Sequence, residues 1–113
     1  MRKIATVDGI DIEQGTDNPY ADLGYAAAYE MLVKAGLAHE IGEIIKSRHL
    51  TQQRAAELLK MPQPKLSEML RGKFRGISQA KMIDCLNRLG RDVDIVVRKS
   101  IRRTLGHTHV VVA

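Results

Sequence analysis

A chain of 113 residues, 44% hydrophobic and 27% charged, has room for one domain with a modest core and is too apolar for wholesale disorder. It holds no apolar run near the roughly 20 residues of a membrane span, and its start, MRKIATVDGIDIEQG, lacks the apolar stretch and small-residue cleavage site of a secretory leader. The net charge of +5 is unevenly placed: residues 1–50 carry five Lys/Arg against eight Asp/Glu, and residues 51–113 carry thirteen against five. A basic half joined to an acidic one suggests a polyanionic partner for the first and a different partner, or plain solvent, for the second. With one Phe, three Tyr and no Trp, the core must be aliphatic, which favours thin helical packing. The single Cys cannot form an internal disulfide and suits a reducing cytoplasm.

Residues 1–22, rich in Asp, Gly and Asn, show no helical period and read as an extended arm, with a short strand around Ile10 and Ile12. A helix is expected from Tyr25, with Gly36 as a stop or kink. A second follows on the stripe Leu37, Ile41, Ile44 and Ile45, with Arg48 and His49 in its last turn. Thr51 is placed as the N-cap of a third helix, TQQRAAELLK, facing inward through Ala55, Leu58 and Leu59. MPQP breaks it, and the fourth helix, PKLSEMLRG, should open with Pro64 at its first position and close at Gly72. After the basic loop KFRGIS, Ser78 starts a fifth helix with Met82, Cys85, Leu86 and Leu89 inward, ended by Gly90. DVDIVVR alternates Val93, Ile95 and Val97 against Asp92, Asp94 and Arg98 as a half-buried strand, and HTHVVVA is a candidate further strand.

Two short helices joined by a tight break form a helix-turn-helix, whose second helix must project into a major groove roughly 12 Å wide. On a helical wheel Leu66, Met69 and Leu70 share the inner face. Pro64, Glu68 and Arg71 point away, with Lys65 and Ser67 on the flanks. Arg71 or Lys65 suits guanine or a phosphate, Gln63 suits adenine, and Glu68 suits a cytosine amine. Thr51 and Gln52 open the supporting helix, where N–H groups favour a phosphate, and Lys73 and Arg75 follow as backbone clamps. An edge strand at 92–98 would bury Val93, Ile95 and Val97 across a two-fold axis, making a homodimer that sets two recognition helices on successive groove turns.

LTQQRAAELLKMPQPKLSEMLRG resembles the helix-turn-helix of the Cro/C1-repressor (XRE) family. That family's small residue in the supporting helix falls on Ala56, and its buried apolar positions on Leu66 and Met69. Its usual turn glycine is replaced here by Lys60. Its DNA-contacting positions fall on Gln52, Gln63, Pro64 and Lys65. The flanks ADLGYAAAYEMLVKAGLAHEI and RGKFRGISQAKMIDCLNRLGRDVDIVVR are similar to the HigA-like antitoxin branch. The resemblance implies a mainly α, lambda-repressor-like domain of about five helices with a C-terminal β-strand or hairpin. It would comprise an arm at 1–22, a helical domain at 23–90 with the motif at 51–72, and a dimerising tail at 91–113. It further implies a cytoplasmic, nucleoid-associated repressor of its own operon that binds double-stranded operator DNA and a RelE/HigB-type ribonuclease toxin, or else a stand-alone regulator of the same fold.

No Ser/His/Asp set, Gly-rich phosphate loop or usefully spaced carboxylate pair occurs, so neither an enzyme nor a cofactor is expected. His107 and His109 would share one strand face, but two ligands alone make a poor metal site, and solvated histidines are the simpler reading. Asp8, Asp11 and Glu13 read as an acidic arm.

Overall fold

The computed structural model describes residues 2–3, 25–99 and 105–113. In chain order it has β1 (Arg2–Lys3), α1 (Tyr25–Ser47), α2 (Gln52–Leu59), α3 (Gln63–Leu70), α4 (Gln79–Arg88) and β2 (Val111–Val112). Helix α1 packs against α3 and α4, and α2 packs against α3 and α4. Ile41, Ile44, Leu59, Leu66, Met69, Met82 and Cys85 are fully buried where these helices meet. No helix among the described residues is long and apolar enough to cross a membrane.

The two helices expected on either side of Gly36 are one, so the described residues hold four helices rather than five. Gly36 is itself buried inside α1. A mid-helix glycine costs about 0.5–1 kcal/mol relative to alanine. Here Val33, Leu37, Ile41 and Ile44 form a single buried stripe running past it, and that burial outweighs the local cost.

Local caps define the other helices. Thr51 Oγ1 accepts from the Arg54 N–H at 3.1 Å, and Ser78 Oγ accepts from the Lys81 N–H at 3.0 Å. Helix α3 starts one residue earlier than expected, at Gln63, with Pro62 at the cap position and Pro64 second in the helix. On α2 the buried arc is Ala55, Ala56 and Leu59, while Leu58, expected inward, is 38% exposed. The arc turns towards Ala56 because α2 must contact α3 and α4 at once.

All four helices close in the same way. The N–H of a left-handed residue returns to the carbonyl three back, and the next N–H reaches the carbonyl five back. The pairs are His49 to Lys46 and Leu50 to Ile45, then Lys60 to Glu57 and Met61 to Ala56. Gly72 to Met69 and Lys73 to Glu68 follow, then Gly90 to Asn87 and Arg91 to Leu86. Gly72 and Gly90 take positive φ freely, whereas His49 and Lys60 hold φ of 55° and 53° with a side chain in place.

The carboxy-terminal part departs most from expectation. Residues 91–99 form no strand, and Ile95, Val96 and Val97 are 79%, 77% and 93% exposed rather than half-buried. The alternating pattern is there, but among the described residues the two-stranded sheet is β1 with β2, and no ladder of theirs reaches this segment. Val93 is half-buried and leans on the core. Strand β2, within the expected HTHVVVA segment, pairs antiparallel with β1, Arg2 opposite Val112 and Lys3 opposite Val111. The strand expected around Ile10 and Ile12 lies outside the described residues.

Lys60 carries a left-handed backbone that a glycine would adopt without Cβ strain. Lys60→Gly should therefore stabilise the fold by about 1 kcal/mol, read as a higher urea midpoint with an unchanged m-value. An unchanged or lower midpoint would show that this turn holds no strain.

Candidate nucleic-acid interface

Helices α2 and α3 are joined by three residues, Lys60, Met61 and Pro62. Met61 is buried and Lys60 makes the left-handed turn, so the reversal is fixed by one apolar anchor and one strained φ. Leu66 and Met69 are fully buried, which leaves the opposite face of α3 outward. Gln63, Pro64, Lys65, Glu68 and Arg71 are exposed, and Ser67 is half-buried. Leu70 Cδ2 lies 3.4 Å from where a Cβ on Gly42 would sit, so α3 rests its Leu70 side chain on α1 at this point.

Side-chain hydrogen bonds organise this outer face. Arg71 Nη1 donates to Ser67 Oγ at 2.9 Å, which lays the guanidinium along the helix. The pair is spaced i, i+4, a signal present in the sequence that the reading of single residues missed. Thr51 Oγ1 is occupied in capping α2, and Gln52 is exposed in its first turn. Arg54 pairs with Glu57 at 3.3 Å, so its charge is partly met within the chain. No side chain caps α3, and Pro64 has no N–H to be capped.

Beyond Gly72, Lys73 and Arg75 are exposed on a loop whose Phe74 and Ile77 are buried. The loop therefore presents its two cations while its apolar residues anchor it. The residues singled out for DNA thus fall at the start of α2 (Thr51 and Gln52), along α3 and its C-cap (Gln63, Pro64, Lys65, Ser67 and Arg71) and on the following loop (Lys73 and Arg75). Val93, Ile95 and Val97 lie in the tail instead.

The motif is braced from behind. Lys81 Nζ donates to the Leu59 carbonyl at 3.1 Å, tying α4 to the carboxy-terminal end of α2. Asp84 accepts from Arg88 Nε at 2.8 Å and lies 3.5 Å from Lys81 Nζ. The Arg88 hydrogen bond, with help from Lys81, holds the Asp84 carboxyl below its usual range. Any stability from this group is present above the ordinary carboxylate range and fades as pH falls through the lowered value. Burial pushes the neighbouring Cys85 thiol up, away from the reactive thiolate, as suits a core residue.

The histidines meet an aromatic partner that sequence reasoning did not foresee. The His107 ring stacks on Tyr29 of α1 with centroids 4.4 Å apart, Tyr29 Oη and His107 Nε2 are 3.0 Å apart, and His109 sits edge-on to His107. His107 is therefore a tail anchor rather than a solvated side chain. Among the described residues, no three His, Cys, Asp or Glu are grouped to hold a metal ion.

This geometry defines a helix-turn-helix domain with a cationic outer face. Residues 19–98 match the family model described as a helix-turn-helix domain. One solved structure, described as a candidate XRE family transcriptional regulator, is 36% identical with a TM-score of 0.72. The match covers 77% of this chain and 99% of that one. No curated protein matches. The chain belongs to the XRE-type helix-turn-helix family of DNA-binding transcriptional regulators.

Lys81→Met keeps the bulk but removes the donor to Leu59. A lost hydrogen bond from a charged group costs up to about 1.5–3 kcal/mol, discounted here because Lys81 is a third exposed. The expected loss is about 1 kcal/mol in a denaturant melt, and a variant as stable as the parent would contradict this bracing role.

Proposed function

We propose that this protein is a sequence-specific repressor that binds operator DNA as a homodimer and acts as the antitoxin of a toxin–antitoxin pair. The observation that carries the DNA reading is the outward set Lys65, Arg71, Lys73 and Arg75 on α3 and its loop, backed by a buried apolar face. Lys65 and Arg71 suit base edges, with Gln63 at the helix entrance and Ser67 orienting Arg71. Thr51, Gln52, Lys73 and Arg75 suit phosphates, and Pro64, which cannot donate, gives contact without a hydrogen bond.

The dimer reading is supported by the exposed run Ile95–Val97, which begins where Val93 leaves the core. Burying Ile95 and Val97 from both copies is worth on the order of 6–12 kcal/mol. Association costs a comparable amount, about 4–15 kcal/mol. The balance predicts a concentration-dependent dimer held through residues 93–97. The antitoxin reading draws on the acidic excess of residues 1–50 and on the flanking segments' similarity to HigA-like antitoxins, whose partner is a basic RelE/HigB-type ribonuclease. A stand-alone regulator is the second reading. It is favoured by the solved relative, which is described as a regulator and is matched over 99% of its length.

Three experiments test these readings. Lys65→Ala and Arg71→Ala should each weaken binding to the cognate duplex by about 1–3 kcal/mol while changing affinity for unrelated DNA less; equal losses on both duplexes would assign these residues to phosphates alone. Ile95→Lys with Val97→Lys should give a folded monomer by sedimentation, with a melting point that no longer rises with protein concentration, and a persisting dimer would refute the tail interface. For the partner, co-expression with a short basic reading frame adjacent to this gene should rescue growth, and deletion of residues 1–22 should abolish rescue while sparing operator binding. Rescue that survives the deletion would remove the arm from the toxin contact, and the lack of any such neighbouring gene would favour the stand-alone regulator.

A further inference from the structure

Among the described residues, Lys34 of α1 is the one buried charged or polar residue, 5% exposed. Its Nζ donates to the Arg75 carbonyl at 3.1 Å and lies 3.6 Å from the half-exposed Glu30 carboxylate one turn earlier. Withdrawing an ammonium from water costs several kcal/mol unless it is well partnered. An apolar side chain would fill the same space without that cost, so packing alone does not account for a lysine here.

Its hydrogen bond crosses from α1 to the loop after α3. Phe74 and Ile77 pin that loop into the core, each 3% exposed, and the Ile77 N–H returns to the Phe74 carbonyl. Arg75 lies between these anchors. Gly76 beside it has nothing within 4 Å of a built Cβ, so no packing holds that stretch from the glycine side. The Lys34 bond fixes the peptide plane at Arg75, and with it the direction in which the Arg75 side chain leaves the backbone.

We infer that Lys34 is a positioning residue for DNA binding: from beneath the loop it holds the Arg75 carbonyl so that Lys73 and Arg75 face the phosphate backbone together. Lys34 itself touches no DNA. The inference rests on the reading of Lys73 and Arg75 as phosphate clamps, so the experiment carries a separate control for that reading.

The full chain and its variants are titrated with cognate and unrelated duplexes over a salt series, with helical content and melting followed in parallel. The double variant Lys73→Ala, Arg75→Ala should lower the slope of log affinity against log salt by about two. Lys34→Met should lower it by about one or more while the protein stays folded, and adding it to the double variant should change affinity little further. Lys34→Arg, which keeps charge and donors, should restore most of the slope. If Lys34→Met does not fold, Lys34→Gln, equally uncharged but polar, carries the same expectation. A merely structural lysine would lower the melting point and leave the slope intact. A full slope in a folded Lys34→Met or Lys34→Gln variant therefore overturns the inference. A full slope in the double variant instead overturns the clamp reading, and the inference with it, while leaving α3 as the DNA-contacting element.

Discussion

Helices α2 and α3 have eight residues each, and an isolated helix of that length is not stable in water. The angle between them must therefore be imposed from outside, and the rest of the described fold is arranged to impose it. Leu59, Leu66 and Met69, all fully buried, set the inner faces, while α1 and α4 close the core behind them. Left-handed closures at His49, Lys60, Gly72 and Gly90 end each helix sharply enough for the next segment to turn back onto the core.

Long cationic side chains complete the frame by reaching carbonyls on other segments. Lys81 meets Leu59 at the end of α2, Arg48 meets Leu89 at the end of α4, and Lys34 meets Arg75 beyond α3. These cations bridge segments of the fold, Lys34 buried, Lys81 half-buried and Arg48 exposed, whereas Lys65, Lys73 and Arg75 face outward and Arg71 lies along the outer face on Ser67. Net charge alone blurs that division. Arg54 pairs with Glu57, and Arg88 and Lys81 share Asp84, so part of the basic excess after residue 50 is already matched within the chain.

What was legible in the sequence was mostly local. Thr51 and Ser78 as caps, Gly72 and Gly90 as ends, and the inward stripe Met82, Cys85, Leu86 and Leu89 follow from chemistry within one or two turns. The misreadings concern longer range. Gly36 reads as a stop because the stripe of Val33, Leu37 and Ile41 that overrides it is a tertiary effect. Leu58 reads as inward because α2 alone does not reveal that it must face two neighbours. Residues 92–98 have a strand's alternation but no ladder partner among the described residues. Tyr29 and His107 stack across 78 positions, beyond any local pattern. At the candidate interface the exposed cations could be named from the helical wheel, whereas Lys34, hidden beneath the loop, could not.

Recognition of DNA through α3 and the loop after it can be measured by titrating the wild-type protein with the duplex upstream of its own gene and with an unrelated duplex of equal length, each over a salt series. Log affinity should fall linearly with log salt on both duplexes, with the upstream duplex bound at least about a thousandfold more tightly. Binding that ignores salt, or equal affinity for the two duplexes, would contradict such recognition.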